Sequence, residues 1–371
     1  MRRICCFCER WESGGIESFL TNILLYMDFS ELEIDIVACC IRESVFTERL
    51  KVIGVRFVQL SGRLRSIQNY GMFRRLLREQ HYDVVHFNLF QGLSLYYIEI
   101  AKQEGIPVRI AHSHGAGLRK SSTKHLKLAI HFAGRKIWRE SATDFWACSG
   151  NAAKFLFSDT MWEEQRVRFI PNMIEIEKFR FSSEKREKMR NELHIRQDTT
   201  LIGTVGRLSS EKNHAFLLDV FQQVHQKQPD SVLILVGEGD CFQALQQKAY
   251  DLGVEGAVIF YGPSNRVDAL LAAMDVFVFP SQTEGFGIAA VEAQAAGLPI
   301  VCSEGVPKEA QLTGAFYALP LSAGIDIWAE TVLDCAKLKL LRETGADQVK
   351  QAGFDISDVV RSVEEKFLYP I

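Results

Sequence analysis

The residues best suited by type and spacing to do chemistry lie in a glycine-rich stretch, residues 281–292, with the sequence Ser-Gln-Thr-Glu-Gly-Phe-Gly-Ile-Ala-Ala-Val-Glu. Because glycine lacks a side chain, the backbone amides of residues 285–287 can approach a phosphate closely. Glu284 and Glu292 are about two helical turns apart, which predicts that both carboxylates lie on one helix face. Such a pair can accept hydrogen bonds from sugar and ribose hydroxyls. The alternative is that Glu284 is only a charge near the N-terminus of the helix and that Glu292 is an exposed glutamate on the helix surface.

A second stretch, residues 202–213, carries two cations around a loop. Gly206 and Arg207 follow an apolar segment, and Lys212 lies a few residues further on. Held in place, a guanidinium and an ammonium group can neutralise a diphosphate leaving group as its bond breaks. The alternative is that both are ordinary solvated charges of a surface loop.

Two further candidates lie early in the chain. Gly14 and Gly15 join an apolar segment to a helical pattern, where adjacent glycines permit either close approach of a ligand or a tight turn. His112 and His114 are two residues apart in another apolar segment, so their side chains are predicted to point to one side of a strand. His114 is nearer the following loop and is the predicted site residue. A buried histidine with a structural role is the alternative.

All these candidates lie where an apolar segment gives way to a helical pattern. The alternation of the two patterns along the chain predicts right-handed βαβ crossovers and mainly parallel sheets. In such sheets, ligands bind beyond the carboxyl ends of the strands. The predicted strands are 3–8, 34–40, 55–60, 84–87, 108–112, 145–148 and 167–170, followed by 201–205, 232–236, 258–260, 276–279, 300–302 and 316–319.

The two series of strands predict an α/β protein with two tandem Rossmann-like domains facing across a cleft. The first domain is predicted at residues 1–170 and the second at 199–355. The polar, charged stretch 171–198 is the predicted linker. The final amphipathic segment, 356–371, is predicted to pack back on the first domain.

The composition narrows the class of protein. With 47% hydrophobic and 24% charged residues, the chain resembles a soluble globular protein, and no apolar run reaches the roughly 20 residues of a membrane span. Its nine cysteines lie mostly in apolar segments, which favours structural cysteines in a reducing compartment over a metal site. We therefore expect a cytoplasmic protein. Residues 1–170 contain 24 Lys and Arg against 18 Asp and Glu, and the remainder 19 against 28, so the basic first part is expected to meet an anion.

Taken together, the motifs resemble glycosyltransferase family 4, a family of retaining enzymes with the GT-B fold, and in particular its capsular and exopolysaccharide branch. The resemblance spans almost the whole chain and rests on the order and spacing of several short motifs. These are Gly14–Glu17, His112–His114, Cys148-Ser149, Ile170–Asn172, Gly206–Asn213, Val236–Gly239 and the pair Glu284 and Glu292.

The resemblance implies a hexosyltransferase that moves a sugar from a nucleotide-diphosphate donor, UDP-sugar by family likeness, to a glycan or lipid-diphosphate-linked acceptor. It implies retention of configuration, with a donor phosphate helping to deprotonate the acceptor hydroxyl and with no metal or other cofactor. Arg207 and Lys212 would stabilise the diphosphate, Glu284 would hold the transferred sugar, and His114 would lie near the sugar and acceptor. The implied donor-binding residues are Gly14, Gly15, Gly206, Gly285, Phe286, Gly287 and Glu292.

Two departures from the family pattern leave the donor sugar and the acceptor open. Residues 303–309 lack the common Gly-Gly…Glu loop, and Gly115 follows His114 where a polar residue is common. A nucleotide-sugar 2-epimerase and a non-catalytic carbohydrate-binding relative are the alternative functions. A nucleic-acid partner is not expected, because no recognition motif accompanies the basic residues.

One stretch, residues 118–139, is basic and contains no acidic residue. Apolar residues, among them Leu126, Ile130 and Trp138, recur between its charges at helical spacing, which predicts peripheral contact with an anionic membrane surface at the inner face of the cell membrane. The alternative is a solvated helix whose apolar side packs on the first domain. The basic residues are Arg119, Lys120, Lys124, Lys127, Arg135, Lys136 and Arg139.

Overall fold

The computed structural model describes residues 1–12, 14–62, 66–115, 117, 124–338 and 341–369. The chain forms two compact units. The first contains residues 1–173 together with 356–371, and the second contains residues 174–355.

The first unit is built on a seven-stranded parallel sheet with the order β3-β2-β1-β4-β5-β6-β7. The direction of strand addition reverses between β1 and β4, so this is the switch point where ligands bind in such sheets. Buried apolar runs account for the inner strands β1, β2, β4 and β5, whereas the edge strands β3 and β7 are partly exposed. The strand bounds are β1 Arg2–Trp11, β2 Leu32–Ile41, β3 Arg56–Gln59, β4 Val84–Leu89, β5 Val108–Ser113, β6 Asp144–Ala147 and β7 Arg168–Phe169.

Helices follow the strands of this sheet as crossover connections. Apolar residues of the first helix pack on the sheet, as Phe19 and Ile23 do, because a βαβ unit buries one helix face. The helices are α1 Gly15–Tyr26, α2 Val45–Val52, α3 Ser66–Gln80, α4 Leu95–Gln103, α5 Lys124–Trp138, α6 Gly150–Leu156 and α7 Asp159–Glu163.

The second unit is built on a six-stranded parallel sheet with the order β10-β9-β8-β11-β12-β13. Its switch point lies between β8 and β11. The strands are β8 Thr200–Val205, β9 Ser231–Val236, β10 Val258–Gly262, β11 Val276–Phe279, β12 Ile300–Ser303 and β13 Phe316–Leu319. Each strand named above overlaps a segment predicted from the sequence.

The helices of the second unit include two that precede its first strand. They are α8 Ile176–Phe179, α9 Ser183–Glu192, α10 His214–Lys227, α11 Phe242–Asp251, α12 Val267–Ala273, α13 Ile288–Ala295, α14 Ile325–Ala336 and α15 Gly345–Gln351. The last helix of the chain is α16 Ile356–Leu368.

The stretch 171–198, expected to be a linker, instead contributes helices α8 and α9 to the second unit. The Arg186 and Arg190 guanidinium groups of α9 each donate to the carbonyl of Ala273, at 2.9 and 2.8 Å, and Arg190 is fully buried. These arginines satisfy carbonyl groups at the C-terminal end of α12, which would otherwise lack partners. The arginines of this charged stretch therefore cap a neighbouring helix, whereas Glu184, Glu187 and Lys188 are exposed to solvent.

Helix α16 returns to the first unit. Its residues Val360, Val363 and Phe367 are buried in the same hydrophobic core as Ile4 of β1 and Phe19 of α1. This packing explains why the final segment has an amphipathic pattern.

Candidate functional site

The loops that follow β8 and β11 meet at the switch point of the second sheet. The backbone N–H of Gln282 donates to the carbonyl of Glu211 at 2.8 Å, which joins the two loops. The Lys212 ammonium donates to Oε1 of Glu284 at 2.6 Å and lies 4.8 Å from the centroid of the Phe279 ring. The structure thus brings together two predicted site residues that come from different parts of the sequence.

Glycine is required where the loop after β9 approaches the loop after β8. A Cβ atom on Gly237 would lie 2.0 Å from the carbonyl oxygen of Gly206, and one on Gly239 would lie 2.4 Å from that of Leu208. Both distances are too short for any side chain. The close approach is fixed by a hydrogen bond from the Leu208 N–H to the carbonyl of Glu238 at 2.9 Å. The glycines of 236–239 therefore serve to bring these two loops together.

Glu284 is held by the loop that follows β12. Its backbone N–H donates to the carbonyl of Gly305 at 3.0 Å, and the Ser303 hydroxyl donates to the carbonyl of Ser281. Ser303 also accepts from the N–H of Gly305 at 3.2 Å. The 303–309 segment, which departs from the family pattern, thus orders the Glu284 loop through its backbone.

The prediction that Glu284 and Glu292 share a helix face is wrong. Helix α13 begins at Ile288, and Gly287 before it is left-handed with φ of +90°. This turn places Glu284 in the loop and only Glu292 on the helix. A Cβ atom on Gly287 would lie 3.3 Å from the Phe279 ring and 3.4 Å from Val306, so packing as well as conformation favours glycine.

Glu292 lies near the middle of α13, among buried neighbours. Burial of its carboxyl raises the pKa to about 7, and the positive charge of Lys178 on α8 opposes that shift. A carboxyl group in this environment is available as either a donor or an acceptor of a hydrogen bond near neutral pH.

The remaining predicted residues of the second unit lie in the two loops that carry Lys212 and Glu284. Arg207 is exposed in the loop after β8, Gly285 is half-buried, and Phe286 is buried and stacks on Phe354 with ring centroids 5.5 Å apart. Gly206 lies beside Lys212, since a Cβ atom there would be 3.7 Å from Lys212 Cε. Phe286 is therefore a packing residue whose side chain orders the start of α13.

In the first unit, His112 and His114 lie on one side of the sheet as predicted, with ring centroids 4.0 Å apart. His114 directly follows β5, and its backbone N–H donates to the carbonyl of Leu89 at 3.0 Å. Its Nε2 lies 2.9 Å from Oδ1 of Asn88. Burial, together with the nearby His86, lowers the pKa of His114 to about 3.

The loop after β1 contains the predicted Gly14 and Gly15. Gly14 has extended backbone with φ of −175°, and Gly15 starts α1 with open space around its Cβ position. Glu17, buried in the first turn of α1, accepts from the N–H of Glu12 at 2.8 Å. The carboxylate of Glu17 thus stabilises the turn between β1 and α1 by accepting a backbone hydrogen bond. Ser13 of this motif lies outside the described residues.

Sequence reasoning missed Asn88, Ser303 and Gly305. Each lies at or just beyond the carboxyl end of a strand, and that position was the available signal. The nine cysteines are free thiols, and burial raises the pKa of Cys6, Cys302 and Cys335 to about 12. Within the described ranges, no three His, Cys, Asp or Glu side chains form a group that could hold a metal ion.

Both parts of the chain match models of known protein families. Residues 13–178 match the family model described as Glycosyltransferase Family 4, and residues 185–316 match the model described as Glycosyl transferases group 1. The protein EpsF of Bacillus subtilis strain 168, named as a glycosyltransferase, is 29% identical over 92% of this chain and 90% of its own.

Two further relatives differ in the donor that their names state. An Escherichia coli UDP-Gal:alpha-D-GlcNAc-diphosphoundecaprenol alpha-1,3-galactosyltransferase is 28% identical over 62% of this chain and 59% of its own. A Mycolicibacterium smegmatis GDP-mannose-dependent alpha-(1-6)-phosphatidylinositol monomannoside mannosyltransferase is 26% identical over 63% of this chain and 62% of its own.

Solved structures share the fold over the whole length. The crystal structure of Anabaena Alr3699/HepE in complex with UDP and glucose has a TM-score of 0.79 at 19% identity, with 100% of both chains covered. The structure of WaaG, a glycosyltransferase involved in lipopolysaccharide biosynthesis, has a TM-score of 0.74 at 16% identity, covering 99% of this chain and 100% of that chain.

Proposed function

This chain belongs to the glycosyltransferases with the GT-B fold, with a family 4 domain followed by a group 1 domain, and from that membership we propose a specific reaction. The enzyme transfers a hexose from UDP-sugar to a lipid-diphosphate-linked glycan, with retention of configuration and without a metal ion. The product serves the synthesis of a bacterial surface polysaccharide.

One observation carries this proposal. The Lys212 ammonium and the Glu284 carboxylate lie 2.6 Å apart at the switch point of the second sheet, where α/β proteins bind ligands. Arg207 projects from the same loop as Lys212. A loop with two cations, one of them paired with a carboxylate, suits a donor that carries both a diphosphate and a sugar, because the cations attract the diphosphate and the carboxylate attracts sugar hydroxyls.

The proposed mechanism follows from these charges. Lys212 and Arg207 stabilise the negative charge that grows on the diphosphate as the bond to the sugar breaks. Glu284 accepts hydrogen bonds from hydroxyls of the transferred sugar and orients its reacting carbon. A donor phosphate oxygen takes the proton of the attacking acceptor hydroxyl, so the acceptor adds to the face that the diphosphate leaves. Configuration is retained in consequence.

Uridine diphosphate is the proposed donor nucleotide because the Escherichia coli relative is named for UDP-Gal and the Anabaena structure contains UDP. The mycolicibacterial relative, named for GDP-mannose, makes guanosine diphosphate the competing candidate. Titration calorimetry with UDP, GDP and ADP separates them. We expect UDP to bind at least tenfold more tightly than the other two, and tighter binding of GDP would contradict the choice of donor.

The lipid-linked acceptor is supported by the name of the same Escherichia coli relative and by the surface of helix α5. Leu126, Ile130 and Ile137 recur at helical spacing and are 63%, 41% and 64% exposed. The alternative in which this apolar side packs on the first unit does not hold for these three residues, but it holds for Trp138, whose ring lies 5.0 Å from that of Tyr96 on α4. The buried residues of α5 are His131 and Gly134, which pack against the first unit.

Exposed cations accompany this apolar stripe. Lys127 and Lys136 are exposed beside it, whereas Arg119 and Lys120 of the same basic stretch lie outside the described residues. An exposed apolar stripe flanked by lysines suits the headgroup layer of an anionic membrane, with about 1 kcal/mol of attraction for each cation near the surface. We propose peripheral attachment at the inner face of the cell membrane. Among the described residues, no helix has both the length and the apolar character to span a bilayer.

A product assay tests the whole proposal. Purified enzyme is incubated with UDP-sugars and a panel of lipid-diphosphate-linked glycans, and mass spectrometry and NMR identify the product and its anomeric configuration. We expect a hexose added with the configuration of the donor. An inverted product would contradict the mechanism. A C2 epimer formed without acceptor would identify a 2-epimerase, and UDP binding with no product from any acceptor would identify a non-catalytic carbohydrate-binding relative.

A further inference from the structure

A row of buried polar side chains lies along strands β4 and β5 of the first unit. His86 and Asn88 are on β4, His112 is on β5, and His114 follows it. The His86 Nε2 atom lies 3.1 Å from His112 Nδ1, and the ring of His114 lies next to that of His112. Phe19 of α1 packs edge-on against His112 and His114, with centroids 4.9 and 5.1 Å away. The sheet and α1 therefore fix the position of the His114 ring.

Asn88 makes three hydrogen bonds that determine which way its amide points. Its Nδ2 donates to the backbone carbonyls of His86 at 3.2 Å and Phe7 at 3.4 Å. Its Oδ1 lies 2.9 Å from Nε2 of His114. Rotation of the amide by a half-turn would place its oxygen against two carbonyl oxygens, neither of which can donate a hydrogen bond.

The orientation of this amide decides where the proton of His114 lies. An amide oxygen can only accept, so the hydrogen in the bond between Asn88 and His114 must belong to Nε2. Because burial keeps His114 neutral near neutral pH, its ring carries a single proton, and Nδ1 then keeps its lone pair.

We propose that Asn88 is a positioning residue that holds His114 in the Nε2–H tautomer and so makes Nδ1 a hydrogen-bond acceptor for a sugar hydroxyl of the substrate. The contact with a sugar rests on the proposed function, whereas the tautomer does not. A hydroxyl both donates and accepts, so the tautomer sets the direction of the bond. With Nδ1 as acceptor, the substrate hydroxyl donates its hydrogen to the ring, and its oxygen is left to accept hydrogen bonds from other groups. A ring protonated at Nδ1 would instead donate to the hydroxyl oxygen.

Nitrogen-15 NMR of histidine-labelled protein measures the tautomer directly. Long-range proton–nitrogen correlations distinguish a protonated ring nitrogen from one with a lone pair, and the signals of His114 are those lost in His114→Gln. We expect the wild-type enzyme to show protonated Nε2 and unprotonated Nδ1 at pH 7.5. An Nδ1–H ring in the wild-type protein would overturn the proposal without recourse to any variant of Asn88.

Two variants of Asn88 test its part in this choice. Asn88→Ala removes the acceptor, and we expect its His114 signals to become an average of both tautomers. Asn88→Asp keeps an oxygen that accepts from Nε2, and its second oxygen, when protonated, can still donate to the carbonyls of Phe7 and His86, so Nε2 of His114 should stay protonated. Asn69→Ala is the matched control, because Asn69 is also a buried amide of the first unit but bonds Ser61 and the Gly62 carbonyl instead. An unchanged His114 tautomer in Asn88→Ala would refute the role of Asn88.

Transfer kinetics separate this inference from the proposed function. We expect Asn88→Ala to lower kcat about ten- to a hundredfold with a donor KM close to that of wild type, because the loss lies in orientation. The Asn69→Ala control should keep its kcat. If Asn88→Ala changes the tautomer of His114 as expected but leaves kcat unchanged, the contact of His114 with substrate is refuted. The control of the His114 tautomer by Asn88 is then still supported. Absence of any transfer by the wild-type enzyme would refute the proposed function alone, since the NMR experiment needs no substrate.

Discussion

Nζ of Lys212 lies 2.6 Å from Oε1 of Glu284, and this ion pair joins the loops after β8 and β11 across the switch point of the second sheet. The two residues are 72 positions apart in the sequence. Lys212 keeps about a quarter of its side chain exposed, whereas that of Glu284 is 9% exposed. Lys212 is therefore partly accessible, whereas Glu284 is largely enclosed by the two loops.

Removal of either cation should slow transfer sharply. We expect Lys212→Ala and Arg207→Ala each to lower kcat by a factor of 10²–10³, or about 2–4 kcal/mol, because each cation stabilises charge that appears on the diphosphate in the transition state. Steady-state kinetics with saturating donor measure the effect. Lys248→Ala is the matched control, since Lys248 forms a 2.7 Å ion pair with Asp219 elsewhere in the same unit. Turnover within about twofold of wild type in both site variants would rule out the electrostatic role.

A side chain at Gly287 should cost both stability and activity. The left-handed conformation disfavours alanine by about 1–2 kcal/mol, and the new methyl group would also press on Phe279 and Val306. We expect Gly287→Ala to lower the melting temperature of the second unit and to reduce donor affinity, measured by calorimetry with UDP. Gly253→Ala is the control, because Gly253 also has positive φ, +69°, but its Cβ position is open. Equal loss of UDP affinity in both variants would argue against a specific role for the Gly287 turn.

Acid should destabilise the first unit before it protonates most carboxylates. Burial lowers the pKa of His86 and His114 to about 3, against about 6.5 in the unfolded chain, so the unfolded state binds more protons between these values. The free energy of unfolding should then fall as pH falls from 6.5 towards 3, by about 1.4 kcal/mol per pH unit for each histidine. Hydrogen exchange of β4 and β5 amides measures this slope.

Two variants test whether the buried histidines cause this pH dependence of the free energy of unfolding. His86→Gln should reduce the slope by about the contribution of one histidine. His81→Asn should leave it unchanged, because His81 is exposed and asparagine tolerates its positive φ of 50°. Protection of β4 and β5 that stays constant from pH 7 to pH 4 would contradict the prediction.

Transfer should survive a chelator. The sequence has no Asp-x-Asp triplet, and the proposed charge stabilisation is supplied by Lys212 and Arg207. We expect turnover in EDTA to stay within about twofold of the rate in untreated enzyme. The assay is repeated after dialysis and with added manganese. Complete loss in EDTA with recovery on adding manganese would show that a metal ion takes part.

The membrane contact predicts salt-sensitive binding to vesicles. We expect sedimentation with anionic but not neutral liposomes at low salt, and weaker sedimentation as salt screens the attraction. Changing Lys120, Lys124 and Lys127 together to Glu should weaken it further, as should Leu126→Ser with Ile130→Ser. A triple change to Glu at exposed lysines of the second unit, Lys227, Lys337 and Lys350, is the control for net charge. Equal failure to bind anionic and neutral vesicles would end the hypothesis.

The sequence by itself determined the strands and the edges at which chemistry occurs. A strand in a parallel sheet is buried on both faces, so its apolar run is visible locally, as at Val84–Leu89 and Val276–Phe279. Loops that carry glycine and charge after such runs mark the carboxyl edges of the sheets. That is why Gly206, Lys212 and Glu284 were identifiable without coordinates.

Only the tertiary structure decided which of these residues meet and how they are oriented. The contact between Lys212 and Glu284 depends on β8 and β11 being neighbours, and the tautomer of His114 depends on the carbonyls around Asn88. Helix α9 looked like a linker because the carbonyls that its arginines cap belong to α12, more than 80 residues away. The periodicity of a sequence indicates only whether a side chain is buried. The ion pair, the tautomer and the helix capping described above depend on which residues the fold places next to that side chain.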